Sequence, residues 1–142
     1  MSLTYVNQQH ALGFNCAQIV LAAYAEQLDL DSATAHRLAA GFGRGLYCGE
    51  VCGAYAGAVM VLGLKFGNSG SDQADRKAML KAKVTRLQEY FLDEYPGLTC
   101  REILRATASD PQQTRQLQEN GLQPEICPAI MAFVIDTLQE LL

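Results

Sequence analysis

The sequence predicts an all-α fold, and three observations predict it. Apolar residues recur at three- and four-residue steps along most of the chain. No stretch alternates apolar and polar residues convincingly, and no hairpin turn separates β-branched runs. Glycines stand at positions 41, 45, 49, 53 and 57, the four-residue spacing that places residues on one helix face. The 142 residues are enough for one domain, 1–142, with a single core and no need of crosslinks. The expected architecture is a bundle of about six helices around a central glycine-rich, cysteine-bearing helix.

Leu12, Cys16, Ile19, Val20 and Ala23 share an apolar stripe, so the first helix is expected from near Thr4 to Leu28, with Gly13 as its weak point. Asp31 or Ser32 caps a second helix through Ala40, which Gly41 is expected to end in a left-handed conformation. His36 lies on that helix with no second histidine or cysteine nearby, and reads as a surface or half-buried residue.

Gly41, Gly43 and Gly45 have the look of a phosphate-cradling loop. No strand precedes them and no Gly-Lys-Ser/Thr follows, which sets that reading aside. The central helix is then expected from near Cys48 to Phe66, stopped by Gly67, with Cys48 and Cys52 in its first turns. Interior glycine costs a helix about 1 kcal/mol relative to alanine. Repeated use of it implies that something approaches the backbone closely.

Ser71 or Asp72 should cap a long helix to about Glu94, with Leu80, Val84, Leu87 and Phe91 buried and Lys77, Lys81, Lys83 and Arg86 on a solvated face. Pro96-Gly97 breaks it. Thr99-Cys100-Arg101-Glu102 is a capping box that makes Cys100 the first helical residue. Asp110-Pro111 is expected to open a short helix closed by Gly121. The last helix should start with Cys127 as cap and Pro128 in the first position, and bury Ile130, Phe133, Val134, Leu138 and Leu141.

Bulk properties exclude several functions. A net charge of −4 offers no electrostatic case for nucleic acid or an anionic membrane surface. The longest uncharged apolar stretch, Val51 to Leu64, falls short of the roughly 20 residues that a membrane span requires. The N-terminus lacks a positively charged lead and an apolar signal segment, which predicts a cytoplasmic protein. His10 and His36 are isolated, and the serines have no His/Asp companions, so no hydrolytic machinery is visible.

The five cysteines are the chemical signal. Without a secretory leader they do not read as a disulfide framework. Cys48, Cys52, Cys100 and Cys127 are each expected near a helix start, where unpaired amides and the macrodipole stabilise a thiolate. Such settings lower a cysteine pKa from about 8.5 to about 3.5–7.5. Arg101 beside Cys100 acts in the same direction, and burial in apolar surroundings would oppose it. On one helix the α-carbons of Cys48 and Cys52 would lie about 6 Å apart, within disulfide range but with nearly parallel side chains. A bridge there would be strained and easily reduced. Glu50, between them, reads as a proton acceptor for a thiol or, more simply, as a surface glutamate. The same spacing fits half of a zinc site, without a second closely spaced pair.

Asn15-Cys16-Ala17, Cys52-Gly53-Ala54 with Gly57, Cys100-Arg101-Glu102 and Cys127-Pro128 together resemble the redox-active family C_GCAxxG_C_C. Gly41-Phe42-Gly43 and the segment Leu62 to Gly67 also resemble it. The resemblance spans nearly the whole chain and implies that Cys16, Cys52, Cys100 and Cys127 are the four cysteines of the family pattern. It departs at Val51 and Gly53, which flank Cys52 where the family name has glycine and alanine, and Cys48 is an additional cysteine. The resemblance implies a small helical protein with a redox role.

Three readings stand on these residues. In the first, the protein is a thiol-dependent oxidoreductase or electron carrier, with Cys52 as central sulfur and Cys48, Cys16, Cys100 or Cys127 as partner. Its own partner is then a redox protein or a small thiol. In the second, the thiolates hold a metal, an iron–sulfur cluster or a larger redox cofactor. In the third, the glycine ladder is a helical homo-oligomerisation surface and the cysteines are filler.

Overall fold

A computed structural model describes residues 2–107, 112 and 126–142 of the chain. Seven α-helices are formed among the described residues, and no strand. They are α1 (Ser2–Ala11), α2 (Cys16–Ala25), α3 (Ser32–Ala39), α4 (Gly53–Phe66), α5 (Ala74–Glu94), α6 (Cys100–Thr107) and α7 (Cys127–Leu141). The expected all-α bundle is the observed one. The short helix expected from Asp110 to Gly121 lies outside the described residues.

The expected first helix is two helices. Gly13 has φ +97°, a backbone that residues with a side chain rarely adopt, and α1 stops just before it. Asn15 then caps α2: its side chain accepts from the Gln18 amide at 3.0 Å while the Gln18 side chain accepts from the Asn15 amide at 2.9 Å. Cys16 is therefore the first residue of a helix, not part of a stripe within one.

Asp31 caps α3 as expected, accepting from the Thr34 amide. Gly41 is not left-handed; the chain passes through a short 3₁₀ turn, Ala40–Phe42, instead. His36 is half-buried, its ring stacked 3.8 Å from that of Phe14.

The largest departure follows. Arg44, Gly45, Leu46 and Tyr47 all have positive φ (53°, 61°, 60° and 57°), so the chain makes a left-handed turn where the central helix was expected to begin. Left-handed conformation costs roughly 1–2 kcal/mol for each residue bearing a Cβ. Hydrogen bonds with Leu98 and the start of α6 hold the stretch that follows the turn. The Cys52 amide donates to the Leu98 carbonyl at 2.8 Å, the Cys100 amide to the Glu50 carbonyl at 2.7 Å, and Arg101 to the Cys48 carbonyl at 2.9 Å. Helix α4 starts only at Gly53, with Cys52 at its N-cap, and ends before Gly67 as expected.

The core is built by α2, α4, α5 and α7. Ile19, Val20, Leu21, Val61, Leu62, Leu87, Phe91, Met131, Val134 and Leu138 are all fully buried. A run of rings, Tyr55, Phe91, Tyr95 and Phe133, crosses it with centroids 5.4, 4.9 and 5.6 Å apart. Helix α4 packs against α2, α5 and α7, which gives it the central place expected of it. Its glycine strip is occupied within the chain. A methyl on Gly57 would stand 2.9 Å from the Ala17 carbonyl oxygen, so the backbones of α4 and α2 meet there directly.

Two smaller expectations change. Gln73, not Ser71 or Asp72, precedes α5, and its side chain accepts from the Ser69 and Gly70 amides. Lys83 is not on a solvated face: it donates to the Leu141 carbonyl at 2.7 Å, a cation at the C-terminal end of α7. The capping box of α6 forms as read, with the Glu102 amide donating to Thr99 Oγ1 at 3.0 Å. Helix α7 begins one residue earlier than expected, at Cys127.

Candidate functional site

Four helix starts supply the site. Cys16, Cys100 and Cys127 are the first residues of α2, α6 and α7, and Cys52 is the N-cap of α4. All four line one cavity of about 310 Å³. Each start has its own local cause. The Asn15 capping box sets α2, the hydrogen bond from the Cys52 amide to Leu98 sets α4, the Thr99–Glu102 box sets α6, and Pro128 favours the first turn of α7.

Cys16 and Cys52 meet where α2 and α4 touch. A methyl on Gly53 would collide with Cys16 Sγ and stand 2.8 Å from the Phe42 carbonyl oxygen. Glycine at this position is what lets the Cys16 sulfur lie against the first turn of α4. Asn15 contributes a second anchor, its side chain donating to the Ala40 carbonyl at 2.9 Å. Asn15→Ala removes both the cap and this anchor and is expected to cost about 1–2 kcal/mol. Thermal unfolding checks this, with Asn15→Asp, which keeps a capping oxygen, losing less.

The electrostatics are those of buried neutral thiols. Burial pushes the Cys52 thiol up, and Cys16 and then Cys127 add to the shift, against the amides of Tyr55 and Ala54. Burial also raises Cys16, while backbone amides of Arg44, Ala17, Cys16 itself and Ala54 act in the opposite direction. Cys100 is pushed up to about 12, first by burial, then by Cys127 and Cys16. The expected lowering by helix starts is thus present as amides facing Cys16, but desolvation outweighs it. Cys52 feels Cys16 more strongly than Cys127, whereas Cys100 feels Cys127 more strongly than Cys16.

Cys48 is apart from this group. It is exposed, does not line the cavity, and lies in the turn after the left-handed run, with its thiol 3.5 Å from the Gly45 carbonyl oxygen. It shares no helix with Cys52, so the helical geometry expected of that pair does not exist. Glu50 is exposed and acts through its backbone. Among the described residues no three His, Cys, Asp or Glu side chains are gathered closely enough to hold one metal ion.

The rest of the lining divides in two. Phe14, Ile103, Leu104, Ile126 and Ile130 are apolar, and His10, Arg44 and Tyr47 are exposed residues at the rim. These rim residues are invisible to motif reading, because α1 and the left-handed turn bring them there from different parts of the chain. Asn15 did carry a signal: Asn-x-x-Gln following a glycine is a helix-start pattern.

A family model described as "Putative redox-active protein (C_GCAxxG_C_C)" matches residues 14–141. The chain belongs to this family. The match begins just before Cys16 and ends within α7, so it takes in all four cavity cysteines of this C_GCAxxG_C_C member. The family description supports a redox role in general terms. No curated protein and no solved structure matches the chain. No helix among the described residues is long and apolar enough to cross a membrane.

Proposed function

We propose that the protein is a thiol–disulfide redox module whose four cavity cysteines work as two couples, Cys16 with Cys52 and Cys100 with Cys127. The observation that carries this reading is the convergence of four cysteines, from four separate helix starts, on one cavity. The order of influence on two of the sulfurs supports the pairing, since Cys52 feels Cys16 more strongly than Cys127 and Cys100 feels Cys127 more strongly than Cys16. Cys16 is the better attacking sulfur of its couple, because it is the more open of the two and more backbone amides oppose the rise that burial causes. Cys52, only 8% exposed, resolves the mixed disulfide. Cys48 belongs to neither couple. A reducing compartment such as the cytoplasm, with a small thiol as reductant, suits a module of this kind.

Mild oxidation of the full chain followed by peptide mapping tests the pairing. The expected product carries the Cys16–Cys52 and Cys100–Cys127 bridges and leaves the Cys48 thiol free to react. Five thiols that remain free under an oxidant that oxidises dithiothreitol would count decisively against a redox module. Bridges that include Cys48 would overturn the pairing alone.

A further inference from the structure

Both couples open onto the same space. Cys16, Cys52, Cys100 and Cys127 border one cavity of about 310 Å³, a volume at the small end of ligand pockets. Two glycines let the backbone come close enough for this. Gly53 lets the Cys16 sulfur lie against the start of α4, and Gly45, left-handed at φ +61°, lets the turn lie against Cys100. A methyl at Gly45 would stand 2.9 Å from the Cys100 Cβ. Four thiols held round so small a volume are neighbours across it as well as within each couple.

The order of the four around the cavity follows from what each sulfur feels. Burial raises Cys52 and Cys100 most, and the further rise in both comes from the same two sulfurs. For Cys52 these are Cys16 and then Cys127; for Cys100 they are Cys127 and then Cys16. Cys16 and Cys127 therefore stand between Cys52 on one side and Cys100 on the other. The couples also differ in access. Cys52 is buried, whereas Cys16, Cys100 and Cys127 are half-buried, so Cys100–Cys127 is the couple that an outside thiol meets more readily.

We propose that the two couples form an internal relay, in which a disulfide made at Cys16–Cys52 crosses the cavity through a Cys16–Cys127 bridge to Cys100–Cys127. This deepens the thiol-couple reading and rests on it. Cys127, giving up its proton, attacks the Cys16 sulfur of the Cys16–Cys52 bridge. A Cys16–Cys127 bond forms, the Cys16–Cys52 bond breaks, and Cys52 leaves as a thiolate that takes up the proton. Cys100, giving up its proton in turn, attacks the Cys127 sulfur. A Cys100–Cys127 bond forms, the Cys16–Cys127 bond breaks, and Cys16 is released and protonated. Cys16 and Cys52 gain two electrons and two protons, and Cys100 and Cys127 lose the same. Two molecules of a small thiol then reduce the Cys100–Cys127 bridge and leave as one disulfide. The buried Cys52 is thus returned to its thiol without any outside molecule reaching it.

The central bridge is the test. Fully oxidised, full-length protein is treated with a limiting amount of 2-mercaptoethanol, quenched with acid and mapped by peptide. Among the half-reduced molecules a Cys16–Cys127 bridge is expected. Two variants, each also carrying Cys48→Ser to remove the exposed thiol, check the order of the sulfurs. Cys52→Ala/Cys100→Ala keeps the central pair, and Cys16→Ala/Cys127→Ala keeps the outer pair. With diamide as oxidant the first is expected to form about tenfold more intramolecular bridge than the second in the same time. The wild-type measurement needs no substitution, so it stands whether or not the variants fold. Half-reduced wild-type protein without a Cys16–Cys127 bridge, or equal yields from two folded variants, would overturn the relay and leave the couples standing. If diamide forms no bridge in the wild-type protein at all, the thiol reading itself fails.

Discussion

Gly53→Ala is expected to be strongly damaging for a single added methyl. The added carbon has no direction in which to escape, because it meets Cys16 Sγ on one side and the backbone carbonyl of Phe42 on the other. Overpacking of this kind costs about 1–3 kcal/mol, and a rigid backbone neighbour places it at the upper end, about 3 kcal/mol. For a chain of this length that is a fall of roughly 10 °C in melting temperature. The same change at Gly63, in the same helix, meets nothing within 4 Å. Gly63→Ala is therefore expected to stabilise by about 0.5–1 kcal/mol. Thermal unfolding of the two variants separates close helix approach from helix propensity. Peptide mapping of oxidised Gly53→Ala should also show less of the Cys16–Cys52 bridge. Equal stability of the two variants would mean that α2 and α4 do not touch as described.

Alkaline pH is expected to weaken the reduced protein far more than the oxidised one. Cys16, Cys52 and Cys100 are all raised above the ordinary thiol value of 9.0 by burial. In the unfolded chain these thiols ionise as the pH passes that value, while in the folded chain they stay protonated. The folded state then binds more protons, so stability is fully present below pH 9 and falls as the pH rises toward the folded values, about 12 for Cys100. Within that window each fully buried thiol removes about 1.4 kcal/mol per pH unit, and the more open Cys100 less. Tyrosines raised by burial, Tyr95 among them, add to the loss only above their ordinary value of 10.0. The interval from pH 9 to 10 therefore belongs to the thiols. Denaturant midpoints for reduced and oxidised protein across that interval check the prediction: parallel curves would sink it.

The helical architecture and its periodic stripes were legible because each depends on short-range spacing. The Thr99–Glu102 box formed as read, and of the α5 stripe Leu87 and Phe91 are buried while Leu80 and Val84 are half-buried. What spacing could not show was the break in the first expected helix and the late start of the central one. At Gly13 the signal existed, a glycine followed two residues later by a capping asparagine, but the continuous stripe from Leu12 to Ala23 masked it. At Arg44–Tyr47 the glycines argued against helix, but nothing marked a left-handed turn, since Leu46 and Tyr47 have no preference for left-handed backbone. Hydrogen bonds between Cys48, Glu50 and Cys52 and the stretch Leu98–Arg101, some fifty residues away, fix the chain that follows that turn. The error carried directly into the chemistry. A glycine ladder read as one helix joined Cys48 to Cys52, whereas the real start of α4 separates them and puts Cys52 beside Cys16 and Cys127.

The left-handed turn also determines how the inner sulfurs meet the outside. Three of its residues sit in backbone wells that would relax if released, and the Arg44 amide that faces Cys16 belongs to it. A segment held against its own backbone preference is the part of a fold that opens first, ahead of global unfolding. The amides of this turn are therefore expected to exchange hydrogen faster than those of α2 and α4 behind it, so the edge of the Cys16 site loosens before the bundle does.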